Sequence, residues 1–180
     1  PATQVCLVSQ DNYYRKYEDQ KQDAEGLVNF DHPDSVDLDR LGEDLDRLLA
    51  GETVTIEEYT FNNADQIPDT IHMEPRPLII LDGLFIFYHT EIARLIDLKI
   101  FVEAEEHIKL ARRIRRDDKE RGYSVESVLR DYERFVAPMY HQFVEPGKWT
   151  ADLIVPNNQH MYKAIQVLVH HLTAVLGSSN

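Results

Sequence analysis

The chain has 180 residues, of which 43% are hydrophobic and 28% charged, and this suffices for one soluble domain with a sizeable core. Its net charge of −13 at pH 7 argues against partners such as nucleic acid or an anionic membrane surface. The single cysteine, Cys6, excludes an intramolecular disulfide and fits a reducing compartment. No apolar run has the length of a membrane span, and the first residues do not resemble a signal peptide. We therefore expect a cytoplasmic protein.

The first predicted element is a strand over residues 4–8, and its first following carboxylate is Asp11. The polar, tyrosine-rich stretch 12–22 predicts a short helix or a loop. The stretch 26–34 has no periodicity and predicts a loop. These segments place Asp11 just beyond the end of a strand.

A helix should follow, beginning at Asp34 or Ser35, since both residue types are favourable N-caps. Leucines recur there at steps of three and four residues, and Gly51 is placed to end the helix. A short β-branched strand is expected over 53–56, followed by a loop or an edge hairpin over 62–76.

A second apolar strand, residues 78–82, ends on Asp82 and Gly83. Its unbroken apolar run predicts burial on both faces, as in the middle of a parallel sheet, where ligands bind beyond the carboxyl ends of the strands. Asp82 alone would be read as the cap of a turn. If this strand lies parallel to strand 4–8, however, Asp11 and Asp82 share one edge, where they could hold a divalent cation or act as a base.

The rest of the chain alternates between helical and strand patterns. The predicted elements are a short helix at 92–96, a strand at 98–102, a helix at 105–118, a long helix from Ser124 that Pro138 kinks or breaks, a strand at 153–155 and a helix at 160–176. This alternation predicts an α/β fold with a mostly parallel sheet. We expect one domain over 1–176 and a short tail over 177–180.

Basic residues are concentrated in one segment of this acidic chain. Residues 107–123 contain seven basic and three acidic side chains, and the basic ones are Lys109, Arg112, Arg113, Arg115, Arg116, Lys119 and Arg121. A solvated helix face with local acidic partners is the ordinary explanation of such a run. The excess of arginine, whose planar fork matches phosphate oxygens, favours phosphate binding instead.

The order of several short blocks resembles the uridine kinase (uridine-cytidine kinase) family of nucleoside kinases over nearly the whole chain. The matching blocks are residues 9–14, 29–34, 82–84, 87–88, 99–102, 112–117, 120–122, 132–138 and 151–156. The block Asn-Phe-Asp-His-Pro-Asp at 29–34 is especially specific. The resemblance implies a three-layer P-loop kinase fold that transfers the γ-phosphate of ATP (or GTP) to the 5′-hydroxyl of a pyrimidine nucleoside, with Mg²⁺, in pyrimidine salvage.

The resemblance also implies roles for individual residues. Those roles are catalytic base for Asp11, ribose binding for Asp31 and Arg113, triphosphate binding for the lid residues Arg116 and Arg121, base contacts for Tyr14, Phe30, Tyr59 and Phe61, and Mg²⁺ positioning for Asp82 together with Asp11. Asp82 stands where the family has glutamate, which is one methylene longer. The lid itself is expected at about 115–124. A homo-oligomer is compatible with the resemblance but is not indicated by the sequence.

Three departures from the family pattern bear on the substrate. Ala64, Tyr123 and Asp131 stand where the family has histidine, arginine and glutamine. A site that recognises a base through hydrogen bonds discriminates strongly between bases, so the loss of those hydrogen bonds should change which base is bound. We therefore expect altered base recognition.

A fourth departure concerns the donor. The 180 residues contain no Gly-x-x-x-x-Gly-Lys-Ser/Thr sequence, the P-loop that cradles phosphates. The matching family segment precedes the position of Pro1, so we expect that the chain begins late and that these residues alone are nearly inactive. Two alternatives remain: a related kinase for another hydroxyl substrate, and a catalytically dead relative that binds a nucleotide or a partner.

Overall fold

The computed structural model describes residues 4–22, 25–61 and 66–178. The chain forms two compact units, Pro1–Asp97 and Leu98–Asn180. The expected single domain over 1–176, with a lid at about 115–124, stays a prediction. Within the described residues, no helix is both long and apolar enough to cross a membrane.

The described residues of the first unit form two pairs of strands and two α-helices. Its elements are β1 (Val5–Ser9), α1 (Leu38–Leu49), β2 (Val54–Glu57), β3 (Thr70–Met73), β4 (Leu78–Asp82) and α2 (Thr90–Arg94), with 3₁₀ turns at Gln10–Tyr13, Tyr17–Asp19 and Pro33–Ser35. Strands β1 and β4 are parallel, and β2 and β3 form an antiparallel pair. The parallel pairing is therefore confirmed, whereas among the residues that the structure describes β2 and β3 form a separate antiparallel pair and not the edge of a larger sheet.

The prediction that the strand at 78–82 is buried on both faces was wrong. Cys6 and Val8 of β1 are buried, but Leu7 between them is 66% exposed, and its partner in β4, Ile80, is 41% exposed. Side chains alternate between the two faces of a sheet, so one face of the β1–β4 pair is packed and the other is open.

Helix α1 begins later than predicted. Val36 is extended and forms a β-bridge with Tyr14, so Asp34 and Ser35 belong to a separate 3₁₀ turn. The N-cap is Asp37, whose Oδ1 accepts from the backbone N–H of Arg40 at 3.3 Å. The predicted leucine stripe is buried as expected and consists of Leu38, Leu41, Leu45 and Leu48.

The second unit contains a parallel strand pair and a series of helices. Its elements are β5 (Ile100–Glu103), α3 (Glu106–Arg121), α4 (Val125–Asp131), α5 (Ala137–Met139), β6 (Leu153–Pro156) and α6 (Tyr162–Ser178). Helix α3 extends three residues beyond its predicted end, to Arg121, and Gly122 then caps it in the left-handed conformation with a φ of 67°.

Pro138 does not break the helical path. It lies in α5, between π turns at Tyr132–Val136 and Tyr140–Val144. The N–H of Ala137 reaches back to the carbonyl of Tyr132, five residues earlier. The wider π turns accommodate the proline ring and its missing N–H, so the helix is distorted at Pro138 but not broken there.

Candidate functional site

Two carboxylates meet at one edge of the β1–β4 pair. The register places Ser9 opposite Asp82, and Asp11 follows two residues later in the first 3₁₀ turn. The Ser9 hydroxyl oxygen accepts from the Asp11 backbone N–H at 3.4 Å. Asp11 and Asp82 are both exposed at this edge, where the sequence predicted them.

A buried glutamine fastens this edge to the turn after β4. Gln10 is fully buried, and its Oε1 accepts from the Phe85 backbone N–H at 2.8 Å. A Cβ on Gly83 would lie 2.5 Å from the Gln10 Cβ, so the close approach requires glycine. Sequence reasoning missed Gln10, because a polar residue after a strand is usually exposed; the glycine after the partner strand was the available signal.

Four aromatic rings that the resemblance assigned to the base form a cluster in the first unit. The rings of Tyr14 and Tyr59 stack with centroids 5.3 Å apart, and Phe61 lies 5.1 Å from Tyr59. Phe30 lies 6.5 Å from Tyr14, edge-on. The Asn12 side chain accepts from the Tyr59 backbone N–H at 3.2 Å, which ties the cluster to the residue after Asp11.

The loop that carries Asp31 is held by short polar side chains. The Asp31 backbone N–H donates to Asn29 Oδ1 at 3.0 Å. The Ser35 hydroxyl donates to the carbonyl oxygen of Phe30 at 2.9 Å, and Gln20 Nε2 donates to that of Ser35 at 3.0 Å. Gln20 is buried and was also missed, since its partner is a distant backbone carbonyl.

A cavity of about 630 Å³ opens beside the aromatic cluster. Tyr14 and Tyr59 form part of its wall, together with polar side chains such as Asn12, Arg15 and Thr55. Aromatic faces beside hydroxyl and amide groups suit a ligand with a flat ring and several polar atoms. The first unit therefore offers a site of mixed chemistry next to a carboxylate edge.

In the second unit, three predicted arginines converge on one carboxylate, Asp117. Arg116 Nη2 lies 2.9 Å from Asp117 Oδ1, and Arg121 Nη1 lies 3.6 Å from the same oxygen. Arg113 Nε lies 3.4 Å from Asp117 Oδ2. Arg112, in contrast, donates to the carbonyl of Asn157 at 2.8 Å and so holds the loop after β6.

A second cavity, of about 300 Å³, lies beside these arginines. It is lined by Lys109, Arg112, Arg113, Arg116, Tyr132, Val136 and Tyr140. The Lys109 ammonium sits 3.6 Å from the ring centre of Tyr140. Burial and the neighbouring Glu106 carboxylate raise the pKa of Tyr132, which keeps its hydroxyl protonated. This wall combines cations with hydroxyl donors and suits an anion.

The two carboxylates at the edge of the β1–β4 pair suit a cation that takes its remaining ligands from phosphates and water. The described part of the chain holds no group of three or more acidic, histidine or cysteine ligands. Mg²⁺ is usually bound by one or two carboxylates and completed by phosphates and water. Asp11 and Asp82 form such a partial set.

The predicted site residues thus divide between the units. The first unit holds Asp11, Tyr14, Phe30, Asp31, Tyr59, Phe61 and Asp82, and the second holds Arg113, Arg116 and Arg121. Of the departures from the family pattern, Ala64 lies outside the described residues. Tyr123 is about half exposed, and Asp131 Oδ1 lies 3.6 Å from Arg130 Nε.

Comparisons with known proteins agree over nearly the whole chain. Residues 2–162 match the model of the Phosphoribulokinase / Uridine kinase family. A uridine kinase of Lactobacillus helveticus (strain DPC 4571) is 37% identical over 172 residues, which cover 96% of this chain and 82% of that protein. A uridine kinase of Chloroflexus aurantiacus (strain ATCC 29366 / DSM 635 / J-10-fl) is 38% identical over 175 residues, covering 97% and 84%.

Among solved structures, the phosphoribulokinase from Rhodobacter spheroides is similar with a TM-score of 0.68 at 20% identity. The match covers 86% of this chain and 61% of that one. At this identity the likeness concerns the fold alone.

Proposed function

Because the chain belongs to the phosphoribulokinase and uridine kinase family, we propose that it phosphorylates the 5′-hydroxyl of a nucleoside with a nucleoside triphosphate as donor. The α/β fold with parallel strands, predicted from the sequence, is confirmed as that of the P-loop kinases. Membership of a kinase family supports an enzyme. The acceptor, its base and the donor are parts of the proposal.

The observation that carries the proposal is the short connection between a carboxylate and an aromatic platform. Asp11 and Asn12 lie in one 3₁₀ turn, Tyr14 follows directly, and Asn12 holds the backbone of Tyr59. A nucleoside needs a flat surface for its base and an acid–base group for its 5′-hydroxyl. One short segment supplies both, beside a cavity of suitable chemistry.

Each group then has a task in the transfer. Asp11 orients the acceptor hydroxyl and takes its proton as the phosphoryl group arrives. Asp31, whose backbone N–H is held by the Asn29 side chain, accepts hydrogen bonds from the ribose hydroxyls. Tyr14 and Tyr59 stack against the base, an interaction worth about 1–3 kcal/mol per base.

The donor side of the proposal rests on charge. Arg113 assists ribose binding, and Arg116 and Arg121 receive phosphate oxygens, for which the planar guanidinium is well suited. Mg²⁺, held by Asp82 and Asp11, would supply charge neutralisation between the phosphates. ATP or GTP serves as the donor in this proposal.

We further propose that base recognition differs from that of a uridine kinase. Tyr123 and Asp131 replace an arginine and a glutamine of the pattern, and Ala64 replaces a histidine. Alanine has no hydrogen-bonding group, and tyrosine and aspartate offer different donors and acceptors from arginine and glutamine, so the hydrogen bonds that the family pattern makes to the base change. Uridine and cytidine turning over as the best nucleosides would contradict this part.

These 180 residues contain no Gly-x-x-x-x-Gly-Lys-Ser/Thr sequence. The backbone amides and lysine of that motif hold the donor phosphates. We therefore propose that a polypeptide of these residues alone binds triphosphate weakly and transfers phosphate slowly. Rapid ATP-dependent transfer by a polypeptide with a measured mass of 21.0 kDa would contradict this.

The test begins with the intact mass of the protein made from its own gene, followed by two assays on that protein. A coupled assay with ATP and Mg²⁺ compares a panel of nucleosides with sugar phosphates and other alcohols. Calorimetry measures nucleoside binding without turnover, so a slow enzyme still reports on its acceptor site. We expect nucleosides to bind and to be the preferred acceptors.

Asp11→Asn tests the proposed role of Asp11 as the catalytic base. We expect kcat to fall about 10²- to 10⁴-fold, the usual contribution of a general base, while nucleoside affinity changes little. Asp46→Asn, which alters an exposed carboxylate on α1, should leave both quantities unchanged. A preferred acceptor that is not a nucleoside, or an absence of nucleoside binding, would overturn the proposed function.

A further inference from the structure

Asp117 occupies an unusual place on α3. It is the buried residue of this otherwise polar helix, and its side chain is 2% exposed. Aspartate is rarely buried to this extent unless it is paired, since a lone buried carboxylate loses its hydration without compensation. The charged side chains that pair with Asp117 therefore indicate its role.

Those neighbours are Arg113, Arg116 and Arg121, here called the arginine triad. They stand four residues before, one before and four after Asp117, and lie 3.4, 2.9 and 3.6 Å from its oxygens. Their side chains remain 25%, 46% and 41% exposed. One carboxylate at the base of the triad therefore contacts three guanidinium groups that extend to the surface.

The charges of this cluster do not balance. Three guanidinium groups on adjacent turns repel one another, and a single central carboxylate offsets part of that repulsion. Each guanidinium has about five N–H donors, whereas a carboxylate has two oxygens, so Asp117 cannot saturate the triad. Arg116 and Arg121 alone outnumber this carboxylate, so together with Asp117 they keep a net positive charge and have N–H groups for further acceptor oxygens.

The surroundings indicate what those acceptors are. Arg113 and Arg116 line the cavity of about 300 Å³, and Lys109 and Tyr140 stand on the same wall. An anion that enters this cavity meets guanidinium groups that are already ordered. Ordering long side chains in advance reduces the entropy lost on binding.

We propose that Asp117 is a positioning residue that holds the arginine triad together, so that Arg116 and Arg121 are ordered for the phosphates of the donor beside Arg113. The inference rests on the proposed function and deepens it, because it assigns the ordering of the triad to a residue outside the predicted site. Asp117 acts through the arginines and does not itself touch the phosphates.

Asp117→Asn tests this role, since it removes the charge at nearly constant volume. Asp118→Asn, the adjacent exposed carboxylate of the same helix, is the matched control and changes the net charge equally. Calorimetry at low and at physiological salt measures the binding of inorganic tripolyphosphate. We expect Asp117→Asn to weaken binding about tenfold, and Asp118→Asn to leave it unchanged or slightly tighter.

The opposite result is equally informative. If Asp117 merely competed with phosphate for the arginines, its neutralisation would tighten tripolyphosphate binding. Unchanged or tighter binding by Asp117→Asn therefore overturns the proposal. In the background of Arg116→Gln, Asp117→Asn should cost clearly less than in the wild type, because residues that act through one another are not additive. Additive losses would also overturn it.

Circular dichroism establishes that each variant is folded. If Asp117→Asn does not fold, Asp117→Glu carries the test, since it keeps the charge but displaces both oxygens by a methylene. A loss of about threefold or more in tripolyphosphate affinity supports the proposal, and wild-type affinity overturns it. Nucleoside binding is measured separately, so a failed nucleoside panel with intact Asp117-dependent anion binding would reject the proposed acceptor and leave this inference standing.

Discussion

The side chain of Gln10 packs against Gly83 so closely that a Cβ on this glycine would meet Gln10 Oε1 at 2.6 Å and Gln10 Cβ at 2.5 Å. Gln10 is fully buried and also accepts from the Phe85 backbone N–H. The contact fixes the turn after β4 against the turn after β1. It therefore sets the distance between Asp82, the last residue of β4, and Asp11, which lies in the turn after β1.

Gly83→Ala should destabilise the protein and disturb this edge. Since Gln10 is buried and cannot swing aside, the added methyl group forces a backbone shift, at a cost of about 1–3 kcal/mol in the free energy of unfolding. Urea denaturation measures the loss. Gly42→Ala is the control, because its Cβ would meet Ile92 at an ordinary 3.6 Å and alanine favours the helix. Equal stabilities of the two variants would contradict the packing argument.

Tyr13→Phe tests a buried hydroxyl–carboxylate pair. Tyr13 donates to Asp44 Oδ2 at 3.2 Å, and both side chains are buried. Phenylalanine leaves this carboxylate with its arginine partners, of which Arg47 Nη1 lies 3.1 Å away. We expect a loss of about 1–3 kcal/mol at neutral pH, measured by urea denaturation.

The same variant should change the alkaline dependence of stability. Burial, together with the Asp44 carboxylate, raises the pKa of Tyr13 well above its ordinary value. A raised pKa in the folded state gives stability that is complete below about pH 10 and is lost as pH rises towards the folded value. Wild type should therefore lose more stability than Tyr13→Phe between about pH 9 and pH 11. Tyr162→Phe, at an exposed tyrosine, should follow the wild-type curve.

Tyr59→Ala should weaken nucleoside binding without unfolding the protein. Tyr59 stacks with Tyr14 and contacts Phe61, but it is only partly buried. Loss of one stacking partner for the base predicts a decrease of about 1–3 kcal/mol in binding free energy, or roughly 5- to 150-fold in Kd. Calorimetry with the preferred nucleoside measures it, and Tyr162→Ala is the control. Wild-type affinity in Tyr59→Ala would place the base elsewhere.

Asp131→Gln combined with Tyr123→Arg tests the altered base recognition. The double variant restores the arginine and the glutamine of the family pattern. In the wild-type chain, Asp131 lies near Arg130. We expect uridine and cytidine to gain about tenfold or more in kcat/KM relative to the other nucleosides. A site selects between substrates through the hydrogen-bonding groups that it contains, and the double variant contains two more of the family's groups. Arg130→Gln alone should not alter the ranking of nucleosides. A ranking unchanged in the double variant would place base selection at other residues.

Several features of this protein followed from the sequence alone. The apolar runs at 4–8 and 78–82 predicted two strands that place Asp11 and Asp82 at one edge, and the parallel register of Ser9 with Asp82 agrees. The leucine stripe of α1 was also predicted correctly from the spacing of its residues. Periodicity, chain reversal and strand ends are local properties, and a local pattern of side chains is enough to specify them.

Other features depend on contacts between residues far apart in the chain, and only the tertiary structure decided them. The burial of Gln10 depends on Phe85, 75 residues later, and the late start of α1 depends on a bridge from Val36 to Tyr14. Asp117 looked like one more charge on a polar helix, yet it is buried beneath three arginines. A polar side chain is exposed or buried according to what packs over it, and the free energy of that burial is set by partners that no local pattern identifies.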